Sequence, residues 1–382
     1  MAKKKLSTRQ AKALERMEKK EAKAIAAQKA HDDLMLEYLK GSPLAKKLNL
    51  ARFYNPNSIL GNDWAIFYCI IGGRMTGKSY ALTEFLCKQK KKYGDQVKNY
   101  WMRISETSTK AMLANKANKL IDPDLVRKYD LELSTKGMTV FNRGKTFMEV
   151  IPLSQFAKLK GVGFYDKDFK GYYNIVLDEF QLEQGERRTS FDILYNFIGM
   201  CENLVRTTKK KVRVFLVGNT LEEASTILKA FNFLPEKFGR FKLKSKRCII
   251  DNLEPTEEYL DDRKGSIADI LGGDSMSNYT NKLRKDVSLL YKGRCHKPSG
   301  IVKFSKDQSD WFTIWDGTVI KKWNKENMPQ QSDFAMLPYL NTFYNKERAQ
   351  AIIDMYNARA FKFDTLITQS YFTDNMKKIK TK

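Results

Sequence analysis

The sequence has few of the residues that build disulfide frameworks or histidine-based metal sites. Its five cysteines share no Cys-x-x-Cys spacing, and its only histidines are His31 and His296. This argues against a disulfide framework, a zinc site and a histidine-based triad, and it fits a reducing compartment. A run of about 18 apolar residues is absent, and the basic first residues lack the apolar core of a signal peptide. We therefore expect a soluble protein that is not secreted and has no membrane partner.

Positive charge, by contrast, is abundant. The 382 residues include 69 Lys and Arg against 44 Asp and Glu, a formal net charge of +25, and 42% of the residues are hydrophobic. The apolar content is that of a folded chain, and a basic surplus of this size is typical of proteins that bind a polyanion. Nucleic acid is the leading partner class, and a solvated basic surface that maintains solubility is the alternative.

Composition and hydrophobic pattern divide the chain into four parts. Residues 1–50 are a basic N-terminal extension, in which residues 1–40, rich in Ala, Lys, Glu and Gln, predict one long, mostly exposed helix that stops at Gly41-Ser42-Pro43. This helix suits either a basic arm that contacts nucleic acid or a neighbouring subunit, or a solvated extension. Residues 51–250 alternate apolar and helical segments, residues 251–292 are expected to be a linker with short helices, and residues 293–382 predict a small second α/β domain.

Short apolar runs in the second part predict the strands of an α/β three-layer domain. The first run, residues 65–71, is apolar throughout, as expected of a parallel strand covered on both faces. A hairpin is expected around Asn142-Arg143-Gly144, between two β-rich runs. Further strands are expected at residues 99–104, 174–177 and 212–217.

The most specific motif is a phosphate-binding loop directly after the first predicted strand. Gly72-x-x-x-x-Gly77-Lys78-Ser79 matches this loop at every specified position and precedes a predicted helix. Its glycines let backbone N–H groups surround phosphates at the helix N-terminus. Lys78 is predicted to bridge the β- and γ-phosphates of ATP, and the Ser79 hydroxyl to ligate Mg²⁺. The predicted nucleotide-binding residues are Gly72, Gly73, Arg74, Met75, Thr76, Gly77, Lys78 and Ser79.

Two carboxylates follow a later apolar run, at Asp178 and Glu179. Asp178 is predicted to hold the magnesium shell and Glu179 to polarise the attacking water, which indicates ATP hydrolysis. The long segment between this pair and the phosphate loop leaves room for a strand between the two motif strands, as in glutamate-bearing ring and helicase-like ATPases. Asn219, after the run 212–217, is a candidate sensor of the γ-phosphate, and its alternative role is an ordinary helix N-cap.

Cationic residues occupy two predicted loops, residues 155–161 and 205–211. In a ring motor, such groups complete the active site of a neighbouring subunit. The residue types alone do not select one cation for this role. For Lys209, Lys210 and Lys211, a solvated charge run is the default and phosphate contact is the functional interpretation.

A family resemblance connects these motifs. Together with Phe53-Tyr54-Asn55-Pro56, Tyr100-Trp101-Met102-Arg103, Ile151-Pro152-Leu153-Ser154 and Leu177-Asp178-Glu179-Phe180, they occur in the order seen in the DNA-packaging ATPases of phi29-like tailed phages. The chain resembles this family over about residues 51–250. The resemblance implies a P-loop NTPase fold of the additional-strand class. It also implies that Arg206 is a trans-acting arginine finger and Lys160 a second trans-acting cation, with Lys158 as the alternative to Lys160.

The resemblance further implies a pentameric ring at the portal vertex of an empty prohead in the host cytoplasm. Such a ring moves genomic double-stranded DNA inward with each ATP hydrolysed, with or without a structural packaging RNA. The C-terminal domain is expected to resemble the nuclease of large terminases without its catalytic acids, and Asp310 and Asp316 are expected to be turn and solvent residues. The alternatives are a terminase with an active nuclease, a ring helicase and a DNA clamp switched by nucleotide.

Overall fold

A computed structural model describes residues 54–55, 64–159, 168–180, 192–206, 211–219, 225–271, 287–305, 307–324, 334–336 and 346–380. These residues form two β-sheets with helices packed against them. The helix expected in residues 1–50 lies outside the described residues. No helix in the described part of the chain combines the length and the apolar character needed to cross a membrane.

The larger sheet has nine strands in the order β3-β4-β5-β2-β6-β7-β1-β9-β8. Its strands are β1 (Phe67–Ile71), β2 (Val97–Arg103), β3 (Leu133–Lys136), β4 (Thr139–Asn142), β5 (Lys145–Pro152), β6 (Tyr172–Asp178), β7 (Lys211–Gly218), β8 (Gly239–Leu243) and β9 (Cys248–Asn252). In this spatial order, every neighbouring pair between β5 and β9 is parallel. The antiparallel pairs, β3-β4 and β4-β5 on one side and β9-β8 on the other, lie at the two margins of the sheet. A strand does lie between the two motif strands β1 and β6, but it is β7, which follows Asp178 in the chain. The long segment that was expected to leave room for it instead forms β2 to β5, on the other side of β6.

Helices cover both faces of this sheet. The helices of this part of the chain are α1 (Lys78–Tyr93), α2 (Glu106–Ala117), α3 (Pro123–Lys128), α4 (Phe156–Leu159), α5 (Ile193–Val205), α6 (Thr226–Ala230), α7 (Glu257–Arg263) and α8 (Ile267–Leu271). Cys69 and Ile71 of β1 pack into one buried apolar cluster, and Tyr68 and Ile70 pack into another. Since successive side chains of a strand point to opposite faces, the sheet has a core on each side. The predicted three-layer α/β fold is confirmed.

The margins of the sheet differ from the sequence-based expectation. The hairpin expected around Asn142-Arg143-Gly144 is present as β4 and β5, but β3, β8 and β9 were not predicted. Strand β9 extends to Asn252, so the segment expected to be a linker from residue 251 begins inside the sheet. The reason is that this strand carries Asp251 and Asn252, whose polar side chains conceal its apolar character.

The smaller sheet has five strands in the order β13-β10-β11-β12-β14. Its elements are β10 (Pro298–Lys303), β11 (Trp311–Trp315), β12 (Val319–Lys322), β13 (Phe334–Met336), α9 (Lys346–Asn357), β14 (Lys362–Phe363) and α10 (Leu366–Lys380). The expectation that Asp316 is a turn residue is confirmed, because Asp316 and Gly317 have φ angles of 49° and 74° and lie between Trp315 and Val319, which pair across the hairpin.

Helix α10 connects the two sheets. Its Phe372 lies at the centre of the small-sheet core, whereas Leu366 and Ile367 pack with the core of the larger sheet. Asp374 of the same helix forms an ion pair with Lys229 of α6. This ion pair is a direct contact through which a structural change near α6 can affect the small sheet.

Candidate nucleotide site

The phosphate-binding loop connects β1 to α1 at the carboxyl edge of the parallel strands. Met75 and Gly77 have positive φ angles of 62° and 78°, which curl the backbone between strand and helix. The Thr76 hydroxyl donates to the Gly73 carbonyl at 2.9 Å and closes the turn. The backbone N–H of Tyr54 donates to the Thr76 carbonyl at 2.9 Å, so a segment that precedes β1 also supports the loop.

Lys78 is buried beneath this loop. Its Nζ donates to the carbonyl oxygens of Gly72 at 2.9 Å and Gly73 at 2.6 Å, and to the Thr76 hydroxyl at 3.2 Å. Burial lowers the pKa of Lys78 to about 8, although the charges of Asp178 and Glu179 act in the opposite direction. The protonation of Lys78 is therefore sensitive to the charge of an anion that enters the loop.

The two carboxylates lie beside the loop, at the end of β6. Asp178 is buried, and its Oδ1 accepts a hydrogen bond from the Ser79 hydroxyl at 3.3 Å. Glu179 follows in the left-handed region, with a φ of 56°, and its side chain is half exposed. The two motifs, separated by about a quarter of the sequence, thus meet at one place. That meeting follows from the parallel strands, whose carboxyl ends share an edge of the sheet.

Sequence reasoning missed Arg103, which binds both carboxylates. Arg103 ends β2, the strand next to β6, and its Nη2 donates to Asp178 Oδ2 at 2.9 Å. Its Nη1 binds the carboxylate of Glu179. In the sequence, the tetrapeptide Tyr100-Trp101-Met102-Arg103 is recognisable only as part of the family resemblance. Its position at the end of a strand was the available signal, but the role becomes visible only once β2 and β6 are known to be neighbours.

A cavity of about 400 Å³ lies in front of these groups. It is lined by residues of the phosphate loop, the acidic pair and the end of β7: Arg74, Met75, Thr76, Gly77, Lys78, Ser79, Tyr80, Asp178, Glu179, Val217, Gly218 and Asn219. Asn219 is thus placed beside the phosphate loop, where a sensor would lie. A Cβ at Gly218 would lie 2.6 Å from the Phe180 ring, so the turn after the acidic pair packs directly against β7.

A second polar cluster supports the loop from the other side. The Tyr54 hydroxyl donates to Asp251 Oδ2 at 3.3 Å, and Arg240 binds both oxygens of Asp251 at 2.7 and 2.8 Å. Burial, together with the neighbouring Asp251, raises the pKa of Tyr54 well above its usual value. The cluster joins β8, β9 and the segment before β1, and it was not predicted because its members are distant in sequence.

The predicted trans-acting cations do not line this cavity in the described part of the chain. Arg206 is exposed and caps the C-terminus of α5, with a φ of 57°. Lys158 is exposed on α4. Lys160 lies outside the described residues. The described contacts therefore show no role for Arg206 or Lys158 in the cavity of their own chain.

The carboxylates of the small sheet make local hydrogen bonds. Asp316 accepts from the backbone N–H groups of His296 and Lys297, and Asp307 accepts from that of Ser309. Asp310 accepts from the Ser305 hydroxyl at 2.8 Å. Across the described residues, no group of three or more His, Cys, Asp or Glu side chains is arranged to hold a metal ion.

Comparison with known sequences identifies a family over most of the chain. Residues 48–283 match the family described as Podovirus DNA encapsidation protein (Gp16). The DNA packaging proteins of Bacillus phage phi29 and Bacillus phage PZA are each 27% identical over 226 residues, which is 57% of this chain. The match spans 62% of the length of these curated relatives.

Two solved structures share the fold over a longer region. The chain aligns with the bacteriophage Phi-29 viral genome packaging motor assembly at a TM-score of 0.56 and 19% identity, covering 86% of this chain and all of that one. It aligns with the Phi-28 gp11 DNA packaging motor at a TM-score of 0.54 and 15% identity, covering 85% and 97%. At these identities the likeness concerns the fold alone.

Proposed function

Because the chain belongs to the Podovirus DNA encapsidation protein family, we propose that it is an ATP-driven motor that translocates double-stranded viral DNA into a prohead. In this proposal ATP binds at the loop from Gly72 to Ser79 and is hydrolysed there. The observation that carries the proposal is the meeting of Lys78, Ser79, Asp178 and Glu179 at one cavity. These are the groups that hydrolysis of a nucleoside triphosphate needs, namely a buried cation, two oxygen ligands for a metal and a carboxylate base.

The nucleotide phosphates would replace the loop's own carbonyls as partners of Lys78. Its ammonium now donates to Gly72 and Gly73, and an incoming triphosphate offers stronger, charged acceptors. Anion binding would also favour the protonated lysine over the neutral one. Lys78 thus binds ATP and stabilises the charge that develops on the phosphates.

The residues beside the loop fit a magnesium ion. The Ser79 hydroxyl and Asp178 Oδ1 lie 3.3 Å apart on the wall of the cavity, and both are the hard oxygen ligands that Mg²⁺ prefers. When bound, Mg²⁺ would neutralise phosphate charge and orient the triphosphate. Ser79 and Asp178 are the residues that would hold it.

Glu179 is the proposed base that accepts a proton from the attacking water. Its carboxylate is now bound by Arg103, which also binds Asp178. A carboxylate that accepts a hydrogen bond from a guanidinium is a poor base, so Glu179 must leave Arg103 before hydrolysis. In this arrangement Arg103 thus holds Glu179 in a state that is not ready to accept a proton, and Arg103 is not among the residues that line the cavity.

The partners follow from charge and family. The net charge of +25 suits contacts with DNA phosphates, which a packaging motor needs because it must accept any sequence. We propose a homo-oligomeric ring, pentameric when assembled on the portal vertex of the prohead in the host cytoplasm, with a structural packaging RNA as an optional further partner. Arg206 and Lys160 would act on the neighbouring subunit's nucleotide, with Lys158 as the alternative to Lys160.

ATP hydrolysis by the purified chain, measured with and without double-stranded DNA and proheads, tests the proposal. We expect turnover that DNA and proheads stimulate and that Lys78→Ala abolishes. Lys88→Ala is the matched control, because Lys88 lies on the same helix and forms a surface pair with Glu84. It should leave turnover unchanged, since such pairs contribute about 1 kcal/mol or less.

Two results would contradict the proposal, and a third would show that the motor also cuts DNA. ATP binding without turnover would indicate a nucleotide-switched clamp. Strand separation without packaging would indicate a helicase, and cleavage of plasmid DNA with magnesium or manganese would indicate an active terminase nuclease.

A further inference from the structure

Residues outside the phosphate loop hold it near both of its ends. At the start, the Gly72 N–H donates to the Gly218 carbonyl at 3.3 Å, and a Cβ on Gly72 would lie 2.9 Å from the Leu253 side chain. Gly72 is thus in contact with the ends of both strands that flank β1, namely β7 and β9. Toward the other end of the loop, the backbone N–H of Tyr54 donates to the Thr76 carbonyl at 2.9 Å. The part of the loop next to Lys78 is therefore held by a residue that precedes the sheet.

Thr76 connects this contact to the buried lysine. Thr76 and Lys78 are both buried. The Thr76 hydroxyl donates to the Gly73 carbonyl at 2.9 Å and accepts from Lys78 Nζ at 3.2 Å. A displacement of the Thr76 backbone would therefore move a hydrogen-bond partner of Lys78.

The contact between Tyr54 and Thr76 gains importance when a triphosphate enters the loop. By the proposed function on which this inference rests, the phosphates replace the Gly72 and Gly73 carbonyls as acceptors from Lys78. The lysine then no longer closes the loop through those carbonyls, whereas the hydrogen bond from Tyr54 to Thr76 remains available. A backbone that stays fixed keeps its N–H groups directed at the phosphates, and preorganisation of this kind raises affinity.

Tyr54 can hold the loop because its own side chain is anchored. Its hydroxyl donates to Asp251 Oδ2 at 3.3 Å, and Arg240 binds both oxygens of that carboxylate. Asp251 is buried and lies on β9 beside Ile70 of β1. The Tyr54 ring packs against buried apolar side chains of the larger sheet. The side chain of Tyr54 is thus tied to the strand next to β1, while its backbone holds the loop.

The hydroxyl of Tyr54 remains a hydrogen-bond donor near neutral pH. Burial, together with the neighbouring Asp251, raises the pKa of Tyr54 well above its usual value. A phenolate would be repelled by the buried carboxylate beside it, so the pair is stable only with the proton on Tyr54. The contact is therefore a constant anchor for the loop and does not respond to pH in the physiological range.

We propose that Tyr54 is a positioning residue of the nucleotide site. With Asp251 and Arg240 as its anchor, it holds Thr76, and through Thr76 the phosphate loop and Lys78, in the conformation that binds the phosphates of ATP. Tyr54 is not among the residues that line the cavity, so its effect on the nucleotide is indirect. The expected consequence of losing the anchor is a loss of affinity for ATP.

Titration of the full chain with a non-hydrolysable ATP analogue tests this role without any need for turnover. Tyr54→Phe keeps the ring and the backbone N–H but removes the hydrogen bond to Asp251. We expect the Kd for the analogue to rise by about tenfold, the factor that corresponds to losing one hydrogen bond to a charged group. Tyr68→Phe is the matched control, because the Tyr68 hydroxyl lies in the same sheet and donates to the Ala65 carbonyl at 3.2 Å. This variant also removes a tyrosine hydrogen bond, and it should leave the Kd unchanged.

The effects on KM and kcat separate positioning from a general weakening of the fold. In Tyr54→Phe, the KM for ATP should rise while kcat at saturating ATP stays within about twofold of the wild-type value, because Asp178 and Glu179 are unchanged. A protein that is only partly folded would instead lose kcat in proportion and keep its KM. Thermal unfolding of Tyr54→Phe and Tyr68→Phe without nucleotide measures the stability of each variant.

Variants of Arg240 test whether the anchor acts through Asp251. Arg240→Lys keeps a cation beside Asp251 and should retain most of the affinity, whereas Arg240→Met should weaken binding as Tyr54→Phe does. Since both changes act on the same carboxylate, the effects of Tyr54→Phe and Arg240→Met on Kd should be less than additive in the double variant.

A Kd for Tyr54→Phe that equals that of Tyr68→Phe would overturn the inference. So would a fall in kcat without a change in KM, or strictly additive effects of Tyr54→Phe and Arg240→Met. A wild-type chain that does not bind the analogue would contradict the proposed function instead, before any variant is compared.

Discussion

The two sheets place carboxylates at strand ends with opposite results. In the larger sheet, parallel strands bring Asp178 and Glu179 to one edge beside Ser79, where they face a cavity. In the smaller sheet, the antiparallel pair β11 and β12 places Asp316 in the turn between them. There the backbone N–H groups of Lys297 and His296 lower the pKa of Asp316 and occupy its oxygens. Strand direction thus decides whether a carboxylate lies on the wall of a shared cavity or in a local turn.

The cores of the two regions also differ. Two apolar layers enclose the larger sheet, and each contains side chains from many strands and helices. The small core is aromatic and concentrated on Phe372, whose ring lies within 6.0 Å of five others: Phe304, Phe312, Tyr356, Phe361 and Phe363. A core with one centre depends on a single side chain more than a distributed core does.

The largest expected effect is on turnover. Glu179→Gln should reduce ATP hydrolysis by on the order of 10²-fold or more, because a general base contributes about that factor, while tight ATP binding persists. Asp316→Asn makes the same acid-to-amide change in the small sheet and should leave turnover unchanged. Steady-state hydrolysis and analogue titration measure both. Equal losses of turnover in the two variants would contradict the assignment of the catalytic carboxylate to the larger sheet.

The next effect is on stability. Phe372→Ala should cost about 3–5 kcal/mol, because it empties the centre of the small core, and should unfold that region at a lower temperature than the larger sheet. Nucleotide binding should persist. Phe215→Ala, at a buried ring of β7, should instead weaken nucleotide binding together with stability. Calorimetry with and without an ATP analogue compares them, and loss of binding in Phe372→Ala would mean that the regions fold as one unit.

The pH dependence of nucleotide binding distinguishes the buried Lys78 from the half-buried Lys322. Burial lowers the pKa of Lys78 and that of Lys322 to about 8 each, but only Lys78 lies at the cavity. Bound phosphates favour protonated Lys78, so above about pH 8 binding takes up a proton, and the Kd for an ATP analogue should rise by up to about tenfold per pH unit. Below that pH, the protonation of Lys78 should leave Kd unchanged.

Lys322→Met is the control for this titration. It removes a lysine with a similarly lowered pKa from the small sheet, so the pH dependence of binding should stay the same. A wild-type Kd that is flat between pH 7 and pH 9.5 would contradict the role assigned to Lys78.

The smallest expected effect concerns the contact between the regions. Lys229→Met removes the ion pair with Asp374 and keeps the side chain's apolar stem, at a cost of about 1 kcal/mol. The two thermal transitions should move apart, because α6 and α10 then hold the regions together less firmly. Lys242→Met, at an exposed position on β8, should leave them unchanged. Identical calorimetric traces for the two variants would show that the ion pair does not couple the sheets.

Much of the nucleotide site was accessible from local sequence. An apolar run followed by Gly72, Gly77, Lys78 and Ser79 indicates a strand, a phosphate loop and a helix, because each step depends on neighbouring residues. The same holds for the apolar run that ends at Asp178. Strand β8 was missed because its Arg240 and Lys242 resemble the basic residues of a solvated loop, and β9 was missed because it ends in polar residues.

Arg103 shows what local sequence does not contain. Its role requires β2 to lie beside β6, and the order of strands in a sheet is not their order in the chain. The contact between Tyr54 and Asp251 joins residues 197 positions apart for the same reason. Pairings at such distances are selected by the packing of the whole domain.

The sequence by itself determined the strand, loop and helix that cradle a phosphate, the acidic pair and the basic character of the chain, because these depend on residue type and short spacing. Only the tertiary structure decided that Arg103 binds both carboxylates, that Arg206 is not among the residues that line its own chain's cavity, and that Asp316 accepts backbone hydrogen bonds in a turn. The physical reason is that parallel strands collect distant residues at one edge, whereas the neighbours at that edge follow from packing across the sheet.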